Sequence, residues 1–128
     1  MNRVVHFEIP YENQSRAQKF YQDAFGWQIN KMPDMDYHMV TTTPSDENMR
    51  PKDPGAINGG LLARDPTGQH PVIVIDVPSI EEHIKKIESF GGKVIMPAIK
   101  VGEFGLYARV ADTEGNTLGI WQVLHPHS

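Results

Sequence analysis

VVHFEIPYENQSRAQKFYQDAFGWQI, residues 4–29, changes its hydrophobic period part-way along. Residues 4–9 alternate, as a half-buried strand does, and side chains two apart in a strand share a face. His6 and Glu8 then lie on one face and Val5, Phe7 and Ile9 on the other. From residue 13 the period becomes helical. Ala17, Phe20, Tyr21, Ala24 and Phe25 fall at i, i+3, i+4, i+7 and i+8, the stripe of an amphipathic helix. Asn13 or Ser15 can cap its start, and Gly26 can take the left-handed conformation at its end.

The pattern recurs. PVIVIDV, residues 71–77, is a short β-branched run, and PSIEEHIKKIESFGG, residues 78–92, follows it as a second helix. Ser79 with Glu82 reads as a capping box, while Ile80, Ile84 and Ile87 face one way. Phe25-Gly26 and Phe90-Gly91 stand 65 residues apart, about half the chain, which points to an internal duplication. Three strand candidates follow each helix: 27–31, 37–43 and 56–63 in the first half, and 93–99, 104–111 and 117–123 in the second. DTEGN, residues 112–116, is the turn between the last two. The reading is βαβββ twice, with module one over about residues 1–65 and module two over about 66–125 of a single domain. A four-stranded sheet with one helix leaves its other face free, and two such sheets edge to edge would curl into a shared concave surface. PSDENMRPKDPG, residues 44–55, is a long charged loop that reads either as a lid or as a solvated excursion.

The 128 residues suit one domain, and the formal net charge of −4 without a basic run gives no support to nucleic-acid or anionic-membrane binding. Uncharged apolar runs are too short to span a bilayer, and MNRVVHFEIP lacks the apolar core of a signal peptide. A cytoplasmic location is the expectation. With no cysteine, thiol catalysis, thiolate metal sites and disulfides are excluded. No phosphate-binding glycine loop occurs, since GAINGG is not followed by a helix.

VHFEIPYENQSRAQKFYQDAFGWQI (5–29), GAINGGLLAR (55–64) and ARVADTEGNTLGIWQ (108–122) resemble the vicinal oxygen chelate superfamily. That superfamily includes glyoxalase I, the bleomycin-resistance proteins and the extradiol dioxygenases. The chain is most similar to its bacterial group related to lactoylglutathione lyase. The resemblance implies an α+β fold in which two βαβββ modules form a cupped mixed sheet with the helices outside, and a homodimer. In the metal enzymes one residue on the first strand and one on the last strand of each module chelate a divalent ion. His6 falls on the first of these positions, fourteen residues before the helical Phe20-Tyr21. The second falls near Val72, or on His70 if the register slips by two. The third lies within residues 56–63, where Asn58 is the only polar side chain, and an amide is a poor ligand for zinc, nickel or iron. The fourth falls on Gly119, where the metal enzymes carry glutamate. His6 is thus the single metal candidate, and the expectation is no cofactor, with a divalent ion as the alternative.

Other residues bear on a site. His6 beside Glu8 can act as an acid–base pair or a substrate anchor, and burial next to the carboxylate would raise the histidine's pKa. His38 supplies a further nitrogen if its strand faces the same way. Arg109 lies among apolar neighbours and suits an anion partner, with Tyr107 on its face. Gly119 and Trp121 share a face by parity, so the glycine leaves space beside a flat indole wall. Asp76 reads as a turn or cap residue and Trp27 as core or interface. Met32, Met35 and Met39 near Tyr37 offer an adaptable apolar surface, Met49 and Met96 are scattered, and His125 and His127 sit in a tail. Together these describe a protein that binds a small aromatic or planar molecule without a full metal site. The alternative is a metal-dependent lyase or isomerase of the glyoxalase I type, or a dioxygenase-like enzyme, using His6.

Overall fold

The computed structural model describes residues 1–47 and 51–124. Met49, His125 and His127 lie outside them. The described residues form ten elements: β1 (Val4–Tyr11), α1 (Gln14–Phe25), β2 (Gln28–Lys31), β3 (His38–Thr41), β4 (Asn58–Ala63), β5 (Val72–Asp76), α2 (Ile80–Ser89), β6 (Lys93–Val101), β7 (Gly105–Ala111) and β8 (Thr117–Val123). The fold is α+β. The chain divides into two compact units, His6–Pro71 and Val72–Ser128 with Met1–Val5. The division therefore falls inside β1 and again at residues 71–72, so the first five residues belong with the later part of the chain.

Each unit has the same wiring. In the first, the strand order is β1-β4-β3-β2, with β1 parallel to β4 and the other neighbours antiparallel. In the second it is β5-β8-β7-β6, with β5 parallel to β8. A parallel pair needs a crossover, and the helix at the start of each crossover covers one face of its own sheet. The expected βαβββ repeat is present in both units.

Local chemistry fixes the ends of the elements. Asn13, not Ser15, caps α1, its Oδ1 accepting the Arg16 N–H at 2.9 Å, and Gly26 stops the helix at φ 72°. Ser79 caps α2 by accepting the Glu82 N–H at 3.2 Å, and the Gln122 side chain on β8 accepts the Ile80 N–H at 2.8 Å. Pro97 has no N–H to give a ladder, and it lies on β6 inside the shift of register with β7 between Met96 and Ile99.

The first unit's core is Ile29, Val40 and Leu61, with Phe7, Ile9, Tyr11, Ala17, Tyr21 and Trp27 packed against it. The stripe read on α1 is wider than the one it buries: Ala17 and Tyr21 pack inward, whereas Phe20 and Phe25 stay exposed and touch one another and Tyr21, with Phe25 also against Trp27. The second unit's core is Val77, Ile80, Ala108, Val110 and Ile120, covered by Ile84 and Ile87 of α2 as the isoleucine spacing predicts. The described part of the 44–55 loop is laced to itself and to its own unit. The Lys52 N–H donates to the Pro44 carbonyl at 2.9 Å, and the Thr43 hydroxyl meets the Asp53 carboxylate at 3.0 Å.

Candidate functional site

In the first unit, alternation along β1 sends Phe7, Ile9 and Tyr11 toward α1, so His6 and Glu8 occupy the helix-free face, as the sequence predicts. The same parity on β3 turns Val40 toward the helix and Tyr37 toward the helix-free side. There the Tyr37 hydroxyl lies 2.7 Å from His6 Nε2, with the two rings 16° from parallel. Gly60, paired with Glu8 in the ladder, makes room for this tyrosine: a Cβ at position 60 would overlap the Tyr37 hydroxyl and Cζ outright. His6 Nδ1 makes no hydrogen bond to any described residue, yet it is not among the buried polar atoms that lack a partner, so solvent reaches it.

Burial pulls the pKa of His6 below its ordinary value, and the charge of Glu8 pushes it up by less. The rise expected from the His6–Glu8 pairing is therefore corrected: removing the imidazolium from water outweighs attraction to the carboxylate. At neutral pH the ring is neutral. Glu8 itself is buried.

His38 goes elsewhere. It shares the face of Val40 and meets Tyr11 edge-on with ring centroids 6.3 Å apart, under the helix. It is 8% exposed, and its Nδ1 is buried without a partner among the described residues. The structure does not bring His38 to His6. Asn58 is occupied structurally: its Oδ1 accepts the N–H groups of Thr42 and Thr43 at 2.8 and 3.0 Å, and its Nδ2 donates to Ser45 at 3.0 Å.

In the second unit, Leu106, Ala108 and Val110 face α2, which puts Tyr107 and Arg109 on the helix-free face with Gly119 and Trp121. The space over Gly119 is not open. A Cβ there would come within 2.7 Å of the Tyr107 hydroxyl, so this tyrosine fills the position where the sequence reading left a gap. Arg109 is 2% exposed and donates from Nε to the Tyr107 hydroxyl at 3.1 Å. Trp121 is half-buried and lies over Gly105, where a Cβ would meet the indole at 2.5 Å. Val72 is a buried apolar residue of β5, whereas His70 is exposed and lies before that strand. Asp76 lies on β5, where its backbone holds the chain start: its N–H donates to the Arg3 carbonyl at 2.9 Å.

The divalent ion that the resemblance implies does not fit these donors. His6 Nε2 is engaged by Tyr37, the Asn58 amide by backbone, and Gly119 is covered by Tyr107, while Val72 has nothing to offer. Among the described residues no three His, Asp or Glu side chains gather closely enough to hold a metal. Tyr37 is the residue that sequence reasoning passed over. The signal was available in parity: once Val40 is assigned to the core, residues 37 and 39 must lie on the face of His6.

Comparison with known proteins agrees with this architecture. Residues 3–43 match the family model described as bleomycin resistance protein-like N-terminal. A Mycobacterium tuberculosis protein named "Putative glyoxylase CFP32" is 31% identical over 122 residues, an alignment that takes in 90% of this chain and 43% of the relative. The family model, the relative and the solved structures together support the resemblance to the vicinal oxygen chelate superfamily. Two solved structures show the superfamily fold. Streptomyces coelicolor methylmalonyl-CoA epimerase, in complex with 2-nitronate-propionyl-CoA, is 14% identical with a TM-score of 0.65, over 100% of this chain and 99% of that one. A glyoxalase/bleomycin resistance protein/dioxygenase superfamily member from Vibrio splendidus 12B01 is 16% identical with a TM-score of 0.62, over 97% and 100%. The chain spans less than half the length of the curated relative.

Proposed function

We propose that this glyoxalase-like chain binds a small aromatic or planar molecule at His6, on the helix-free face of its first unit, without a full metal site. The observation that carries the reading is the state of His6. One ring nitrogen is held by Tyr37, the other has no partner among the described residues, and the two nearly parallel rings offer a flat surface beside it. Glu8 on the same face keeps the imidazole from being a bare anion trap. Tyr107, Arg109 and Trp121 are proposed, for the second unit by itself, as residues that contact a planar ligand. Cytoplasmic location and a homodimer are proposed on the resemblance, and sedimentation of the purified chain measures the latter.

The test is equilibrium dialysis of the chelator-treated protein against planar aromatics: 1-acetonaphthone, 4-hydroxycoumarin and the hemithioacetal of phenylglyoxal with glutathione. Saturable binding that His6→Ala weakens supports the reading. A second reading, favoured by the name of the curated relative, is a lyase or isomerase of the glyoxalase kind, or a dioxygenase-like enzyme, that uses His6. Stoichiometric nickel, zinc or iron in the purified protein, lost in His6→Ala, together with turnover of the hemithioacetal or a catechol, would replace the first reading with this one.

A further inference from the structure

We infer that Tyr37 is a positioning residue: its hydroxyl donates to His6 Nε2 and holds the imidazole with its proton on Nδ1, so that His6 presents a hydrogen-bond donor to a carbonyl-type oxygen of the ligand. This deepens, and rests on, the binding role proposed for His6.

Three strands of one sheet bring the groups together. His6 is on β1, Tyr37 immediately precedes β3, and Gly60 is on β4. Gly60 is the only residue type whose lack of a side chain lets the tyrosine ring lie where it does. A separation of 2.7 Å is a full hydrogen bond, and one of the two groups must donate. A neutral imidazole carries one N–H and one lone pair, and whichever nitrogen accepts leaves the proton on the other. The phenol is the more acidic donor and the imidazole nitrogen the better acceptor, so the hydroxyl donates to Nε2. The ring proton then sits on Nδ1, the nitrogen without a partner among the described residues. A neutral N–H donor suits a neutral carbonyl oxygen as its acceptor. Tyr37 thereby also withholds from any ligand or ion the nitrogen that it binds.

The test reads the ring nitrogens directly. The full chain, labelled with nitrogen-15 at histidine and free of ligand, is examined at slightly alkaline pH by long-range proton–nitrogen correlation. The expected result is a protonated Nδ1 and an unprotonated Nε2 for His6, and in Tyr37→Phe a shift to the opposite tautomer, which free histidine favours. Gly60→Ala, which displaces the same ring, should give the same change, so one misfolded variant does not decide the matter. A wild-type His6 protonated on Nε2, or a Tyr37→Phe spectrum unchanged from wild type, overturns the inference. For 1-acetonaphthone, Tyr37→Phe should bind about 5- to 10-fold more weakly, as loss of one hydrogen bond implies. Binding unchanged in Tyr37→Phe counts against the inference. The expected tautomer with no binding of any planar probe would instead sink the function proposed above and leave the role of Tyr37 standing.

Discussion

Adjacent glycines on β4 give a paired test of the first unit, because their Cα–H bonds point to opposite faces of one sheet. At Gly59 a Cβ would lie 2.5 Å from Cδ1, Cε1 and the backbone carbonyl oxygen of Phe7. That carbonyl belongs to the parallel β1–β4 ladder and cannot retreat without breaking it. Overpacking of this kind costs about 1–3 kcal/mol, and displacement of Phe7 from Trp27 and the core adds to it. At Gly60 the nearest atoms to the Cβ are those at the far end of Tyr37, a half-buried side chain that can swing away. Gly60→Ala therefore loses one hydrogen bond, about 0.5–1.5 kcal/mol. It regains part of that, about 0.4–1 kcal/mol, by restricting the unfolded chain. The unfolded-chain gain is common to both changes, so Gly59→Ala should be the more destabilised by about 1 kcal/mol, while Gly60→Ala stays nearer wild type in stability but loses the His6–Tyr37 bond. Urea denaturation followed by far-ultraviolet circular dichroism measures the first effect, and histidine nitrogen spectra the second. Equal stabilities for the two variants, or an intact His6–Tyr37 bond in Gly60→Ala, would show that the faces of β4 have been assigned wrongly.

Three further outcomes follow from the geometry. The folded chain holds His6 below its ordinary pKa near 6.5, so on acidification the unfolded chain takes up that proton first. His6 therefore contributes stability that is complete above about pH 6.5 and is lost as pH falls through the folded-state value. Wild type should lose more unfolding free energy than His6→Gln between neutral and mildly acidic pH, and parallel curves would contradict this. Gly119→Ala should cost about 1–3 kcal/mol, because Tyr107 and Arg109 are both buried, unlike the half-buried Tyr37, and the ring cannot swing clear of the Cβ that parts its hydroxyl from Arg109 Nε; a variant as stable as wild type in a denaturant melt would count against that packing. Asn13→Ala should cost about 0.5–2 kcal/mol through the uncapped Arg16 N–H, and thermal melts showing no loss would mean the cap is not made.

How much was legible depended on whether a feature is local. The helix periods, the two Phe-Gly stops and the alternation in β1 are short-range, and they placed both helices and all eight strands within a few residues. Parity then assigned His6 and Glu8 correctly to one face. Three features needed the partner strands. His38 reads as a free nitrogen, but Val40 two residues on commits its face to the helix side. Gly119 reads as a gap, but Tyr107 on the neighbouring strand fills it. The sign of the His6 shift could not be read from Glu8 alone, since burial is set by the whole fold and proved the larger effect. Tyr37 was hidden for the same reason: thirty-one positions separate it from His6, and only the β1–β4–β3 order brings them together.

The central claim is that the His6 face takes a planar ligand with no ion on it. The most direct measurement is the His6 Nδ1 resonance of chelator-treated protein during titration with 1-acetonaphthone, repeated with added nickel or zinc. A saturable shift of Nδ1 that is the same with and without the metal is the predicted result. A resonance that stays fixed until a stoichiometric metal ion is supplied would contradict the account.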